Sequence, residues 1–165
     1  MAHPNAERVR AAFAERGVTI EPAEFPESTH SSAEAAAAIG ADVAQIAKSL
    51  VFVANGAPTL VIASGVNRVD TAKLAQLLDV PPKVVKRADA DTVRTATGYA
   101  IGGVPPLGHA QPLTTIIDRD LMAFATVWAA AGTPNTVFAI TPTDLARATG
   151  AQVADVRVEP ETLNR

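Results

Sequence analysis

No cysteine occurs among the 165 residues of the chain. Disulfides, thiolate nucleophiles and cysteine-ligated zinc or iron–sulfur centres are thereby excluded. Histidine is nearly as scarce. His3, His30 and His109 are scattered without the spacing of metal ligands, so neither a metal nor another cofactor is expected. Long apolar runs are missing too: the stretch at 50–54 is far too short to span a bilayer. The first residues carry neither the basic start nor the apolar segment of a secretion signal. The expected compartment is the cytoplasm, with no membrane partner.

Several common catalytic signatures are also absent. Ser64 lacks the first glycine of a Gly-x-Ser-x-Gly elbow. The glycines between Gly98 and Gly103 have no lysine to make a phosphate loop, and they miss the dinucleotide fingerprint. No Ser/His/Asp arrangement announces itself.

What is present is a chain with enough apolar side chains for one packed core. Hydrophobic residues make up 48% and charged residues 19%, which excludes global disorder. The length suits a single domain over 1–165, with 159–165 expected as a frayed tail. Net charge is −3, too acidic for an indiscriminate nucleic-acid binder. The charge is uneven, however. Residues 46–119 carry 8 basic and 5 acidic side chains, and this middle stretch is the part suited to phosphate.

Local signals place the elements. Helices are predicted over 5–16, from the Ser31–Glu34 capping box to Gly40, briefly at 43–47, from a cap at Asp70 or Thr71 through Leu78, after Asp89, and after Thr141-Pro142 up to Gly150. Strands are predicted at 18–25, 49–54, 59–64, 83–86, 113–117, 124–130, 136–140 and, as a last edge strand, 151–158. Asn55-Gly56 between two β-branched runs marks a hairpin. Hairpins interspersed with helices favour an α+β domain with a mixed or mainly antiparallel sheet over a doubly wound parallel one.

Two features carry chemistry. Lys48 stands at the start of an apolar strand, where a lone ammonium is awkward. Two readings are open: a cation facing a carbonyl or phosphate, or a lysine snorkelling from a strand end. The second feature is the loop Gly102-Gly103-Val104-Pro105-Pro106-Leu107-Gly108. Glycines let main-chain amides approach a ligand, and prolines stiffen the frame. Amides held this way suit a developing oxyanion. A rigid connector without a ligand is the other reading.

In order along the chain, these pieces resemble the YbaK/ProX editing family, whose fold also serves as the editing domain of bacterial prolyl-tRNA synthetases. The resemblance spans about 31–154. It rests on Ala33-Glu34-Ala35-Ala36, Gln45-Ile46-Ala47-Lys48-Ser49-Leu50, Ser64-Gly65-Val66-Asn67-Arg68-Val69-Asp70, the glycine- and proline-rich run at 97–108, Ile116-Ile117-Asp118 and Gly132-Thr133-Pro134-Asn135. It implies a curved mixed, largely antiparallel sheet flanked by helices. It also implies hydrolysis of the ester joining an amino acid to the terminal ribose of tRNA. Lys48 matches the family's lysine, and Gly102, Gly103, Val104, Pro105 and Pro106 match its Gly-x-x-x-Pro loop. Pro105 stands where many relatives carry a small polar residue, a departure that bears on the shape of the pocket.

The resemblance further implies a substrate-binding set of Gly108, Asn67, Arg68, Asp118, His30 and Ser64. Asp118 is a candidate for orienting Lys48 or binding the substrate amine, with a capping role as the alternative. Thr136 and Asn135 are candidates for the pocket rim. Lys73, Lys83, Lys86, Arg87 and Arg94 are the basic side chains to test for phosphate contact. The expected partner is the acceptor end of aminoacyl-tRNA, with a synthetase such as prolyl-tRNA synthetase as a second candidate; oligomeric state is left open. Two rival functions stay open. One is a non-catalytic tRNA- or synthetase-binding module on the same fold; the other is a hydrolase acting on a free metabolite.

Overall fold

The computed structural model describes residues 3–26, 29 and 31–160. Each helix begins where a side chain satisfies its free amides. Helix α1 (Pro4–Glu15) starts at His3, whose ring accepts from the Asn5 amide at 3.0 Å. Helix α2 (Ser32–Ile39) is capped by the Ser31 hydroxyl, and Gly40 ends it in the left-handed region. Asp70, Asp89 and Thr141 cap α3 (Thr71–Leu78), α4 (Ala90–Thr97) and α5 (Pro142–Thr149) in the same way.

The strands are β1 (Ala23–Glu24), β2 (Ile46–Ala54), β3 (Ala57–Ser64), β4 (Val85–Arg87), β5 (Thr114–Asp118), β6 (Val127–Ala130), β7 (Thr136–Ile140) and β8 (Gln152–Ala154). They form one mixed sheet in the order β1-β7-β6-β2-β3-β5-β8, with β4 also paired to β2. The β2–β6, β3–β5 and β5–β8 pairs are parallel, and the others are antiparallel. Asn55 and Gly56 both take positive φ, 50° and 84°. That is the two-residue turn a tight hairpin needs, and it sets Ala54 opposite Ala57.

Side chains alternate between the faces of the sheet. On one face Ala47 and Val51 of β2 pack with Val9 and Phe13 of α1, Val93 of α4 and Leu145 of α5. Phe13 meets Phe138 edge-on at 5.3 Å between ring centroids. On the other face Phe52 and Ala54 pack with Leu74 and Ala75 of α3. There Ile46 also meets Ala35 and Ala36 of α2. Helices thus cover both faces.

Three local expectations shift. The predicted strand at 18–25 shrinks to Ala23–Glu24, because Pro22 denies it ladder bonds. The helix predicted at 43–47 is a single 3-10 turn, Val43–Gln45. Strand β2 therefore begins at Ile46, and Lys48 lies inside it rather than at its start.

The arrangement of β4 and β6 matters most for function. One edge of β2 is taken along its length by β3. The opposite edge is shared. Parallel β6 holds it at Ile46 and Ala47, and antiparallel β4 holds it at Phe52, Val53 and Ala54. Between them the edge of β2 meets no strand among the described residues, and the sheet has a gap.

Candidate active site

A cavity of about 240 Å³ occupies this gap. Residues 46–51 of β2 form one wall, Trp128, Ala129 and Ala130 of β6 a second, and Arg87 and Ala88 a third. Gly102 and Val104 close it from the loop after α4, while Ser31, Ser32 and Ala35 close it from the start of α2. Lys48 and the glycine loop, 54 residues apart in sequence, thus share one cavity.

Lys48 Nζ makes no hydrogen bond or ion pair among the described residues. Partial burial pushes its ammonium below the ordinary lysine range. The neighbouring Arg87 charge adds to this, and the Asp118 carboxylate opposes it. Such a cation is poorly solvated and unpaired, and it is best satisfied by an incoming anion or carbonyl oxygen.

The loop is held on all sides. Gly98 ends α4 with φ 86°. The Gly103 amide donates to the Ala100 carbonyl at 3.0 Å, closing a turn. The Tyr99 hydroxyl donates to the Gly108 carbonyl at 2.8 Å. His109 Nε2 lies 2.7 Å from the Pro105 carbonyl; a carbonyl only accepts, so this nitrogen carries the proton. Burial lowers the pKa of His109, while the bond to Pro105 opposes that shift. Pro105 and Pro106 have no amide hydrogen, and that of Gly103 is spent in its turn. The amides of Gly102 and Val104 have no acceptor among the described residues, and both residues line the cavity.

The predicted site residues divide. Lys48, Gly102 and Val104 line the cavity, whereas Gly103, Pro105, Pro106 and Gly108 lie in the frame behind it. Asp118, Ser64, Asn67 and Arg68 fall outside the lining. Ser64 ends β3 and Asp118 ends β5, so β3 lies between Asp118 and β2. The Asp118 carboxylate is buried and accepts from the Ser64 amide at 3.0 Å, the Asn67 side chain at 2.8 Å and the Asp120 amide at 3.0 Å. It has no bond to Lys48, and its field alone reaches the ammonium. The Ser64 hydroxyl donates to the Ala44 carbonyl at 2.7 Å. Arg68 is exposed, and its carbonyl receives the Val158 amide. His30 lies outside the described residues. Thr136 and Asn135 brace Thr133, whose backbone lies against Gly103.

Lys73 is likewise no free phosphate ligand. Its Nζ is bound by Asp155 at 2.9 Å, Glu159 at 2.6 Å and the Arg157 carbonyl at 2.7 Å. Lys83, Lys86, Arg87 and Arg94 are exposed and form no ion pair among the described residues. Arg87 also stacks over Phe52, 5.7 Å from the ring centroid. Sequence reasoning missed three contributors: Ser49, Trp128 and the bracing His109. A hydroxyl next to Lys48 in an apolar strand was the available signal for Ser49; Trp128 had only its rarity.

Residues 26–148 match the aminoacyl-tRNA editing domain family. The chain is 32% identical over 138 residues to the uncharacterized protein YwhH of Bacillus subtilis (strain 168), covering 83% of this chain and 86% of that one. It superposes on the crystal structure of a putative trans-editing enzyme for prolyl tRNA synthetase with a TM-score of 0.90 and 45% identity, over 96% of this chain and 100% of the other. The crystal structure of a hypothetical protein matches with a TM-score of 0.84 and 32% identity, over 92% and 99% of the two chains. With its cation and loop meeting in one cavity and its fold shared over nearly the whole length, the chain belongs to the aminoacyl-tRNA editing domain family.

Proposed function

We propose that the protein is a trans-editing deacylase, which hydrolyses the ester between a wrongly attached amino acid and the terminal ribose of tRNA. The observation that carries this reading is the unpaired Lys48 ammonium in the same cavity as the free amides of Gly102 and Val104. Water attacks the ester carbonyl carbon, the bond to the ribose oxygen breaks, that oxygen takes a proton, and the amino acid leaves as its carboxylate. Negative charge grows on the carbonyl oxygen during attack. Lys48 and the two loop amides stabilise it, an effect worth about 10²–10³ in rate for a single donor. Among the described residues no protein nucleophile lines the cavity in an activated arrangement, and an aminoacyl ester is reactive enough not to need one.

A synthetase separates side chains differing by one methylene by only about 1–3 kcal/mol, so accuracy calls for a second, hydrolytic site. Alanine or cysteine attached to proline tRNA is the leading substrate pair, in line with the trans-editing relative. The reaction belongs in the cytoplasm, beside prolyl-tRNA synthetase. Exposed Lys83, Lys86, Arg87 and Arg94 face the acceptor-stem phosphates.

A panel of aminoacylated tRNAs tests the reading. Release of amino acid from at least one mischarged tRNA is expected, with correctly charged tRNA spared and with Lys48→Ala inactive. Tight binding of tRNA with no deacylation above the spontaneous rate, in wild type and Lys48→Ala alike, would leave a binding module. Hydrolysis of free amino-acid esters with no dependence on tRNA or salt would leave a metabolite hydrolase.

A further inference from the structure

Ser49 sits at the centre of the gap in the sheet. In a strand, the amide and carbonyl of one residue point to the same edge, and successive residues alternate. The Ile46 carbonyl accepts from Gly65, on the β3 side; the Val51 carbonyl accepts from Ala88, on the β4 side. Odd-numbered positions of β2 therefore aim at the edge shared by β6 and β4. Pairing with β6 stops at Ala47, and contact with the β4 segment starts at Val51. Ser49 is the odd position between them. Its main-chain N–H and C=O look into the cavity, with no strand among the described residues to receive them. Its hydroxyl is also buried and has no hydrogen-bond partner among the described residues. Buried polar groups left open in this way call for an absent partner.

An aminoacyl ester offers the matching pair. Its α-amine donates, and its carbonyl oxygen, three bonds further on, accepts, as do the N–H and C=O of one strand residue. We infer that the aminoacyl group pairs with the main chain of Ser49 as a one-residue strand. The Ser49 carbonyl takes the α-amine, and the Ser49 amide donates to the carbonyl oxygen of the ester. This inference rests on the editing reading and adds a reader for the α-amino group that every substrate shares. Directly opposed residues in an antiparallel pair place their side chains on one face. The L side chain of the substrate then lies on the face of the Ser49 hydroxyl, Val51, Val93 and Val104, away from Lys48.

Two measurements on the wild-type protein test this. The first compares an L-aminoacyl RNA minihelix with its desamino counterpart, each rate divided by the spontaneous one. Losing the amine is expected to reduce acceleration about ten- to a hundredfold, since the Ser49 carbonyl is left unpaired. The second follows the amide resonances of ¹⁵N-labelled protein on adding an adenosine whose 3′ position carries the amino acid through a non-hydrolysable amide. The Ser49 amide should shift and its exchange should slow. Hydrolysis of both minihelices with equal acceleration, or an unmoved Ser49 amide while those of Gly102 and Val104 respond, overturns the pairing and leaves the editing reading intact. If no acyl-RNA is hydrolysed at all, the editing reading falls and takes the inference with it.

Discussion

Gly103 lies against the backbone of Thr133 so closely that a β-carbon on it would come within 3.0 Å of the Thr133 carbonyl carbon. The conflict is steric, because Gly103 does not adopt a positive φ. Gly103→Ala must push the loop and the Thr133 backbone apart by a few tenths of an ångström. The expected cost is about 1–3 kcal/mol of stability, as for other overpacked sites. The loss of deacylation should exceed what the unfolded fraction explains, because Gly102 and Val104 move with the loop. Thermal melting and single-turnover rates on one preparation separate the two effects.

Replacing Lys48 should divide activity from stability. Its folded pKa lies below the ordinary lysine value, chiefly through burial. The charged form is therefore disfavoured by folding at neutral pH, and that penalty fades as pH rises toward 10.5. Lys48→Met should lower the deacylation rate about 10²–10³-fold while the melting temperature at pH 7 stays level or rises. A marked fall in melting temperature would show that the ammonium holds the fold together.

His109 ties stability to mild acid. Its folded pKa is lowered by burial, so below about 6.5 the unfolded chain takes up the proton first. Stability is then fully present above 6.5 and falls as pH drops from there toward the lower folded value. Melting temperatures from pH 7.5 to 5 should decline in wild type. They should decline less in His109→Gln, which keeps a donor for Pro105 but does not titrate in this range.

Asp118→Asn is expected to be a folding defect. The carboxylate accepts from three donors in two separate segments, and an amide presents its own N–H₂ to one of them. Hydrogen bonds to charged groups contribute about 1.5–3 kcal/mol each, so a loss of about 2–3 kcal/mol in denaturant unfolding is anticipated. The rate per folded molecule should change far less than with Lys48→Met, because Asp118 lies outside the cavity.

Lys86 and Arg87 should govern the grip on tRNA. Changing both to Ala is expected to raise KM with little change in kcat, and to reduce the salt slope of binding by about one to two. Lys73→Ala should leave that slope unchanged and lower stability, since its ammonium is held by Asp155 and Glu159.

Features encoded within a few residues were legible in the chain. Ser31, Asp70, Asp89 and Thr141 announce their helices because a cap and its amides lie two or three positions apart. Asn55-Gly56 announces its hairpin because the turn chemistry is local. Lys48 and the Gly102 loop stood out as isolated oddities in an apolar strand and a proline-rich stretch. Their shared cavity was not legible in the same way. It depends on β2 pairing with segments about 35 and 80 residues further along the chain, and strand order between such segments leaves no local trace. Of the two roles open to Asp118, the capping one is seen, in its bond from the Asp120 amide. A carboxylate ending a strand looks available until the Ser64 amide, the Asn67 side chain and the Asp120 amide are seen to converge on it.

The sharing of one β2 edge by two strands has a mechanical consequence. Sliding β4 two positions along β2 would preserve the facing of every side chain and alter the width of the opening by about 7 Å. Lys48 would not move, because β3 and β6 anchor its end of the strand. The width of the opening and the position of the cation are thus adjustable separately: one follows where a short neighbour docks, the other is fixed upstream of it.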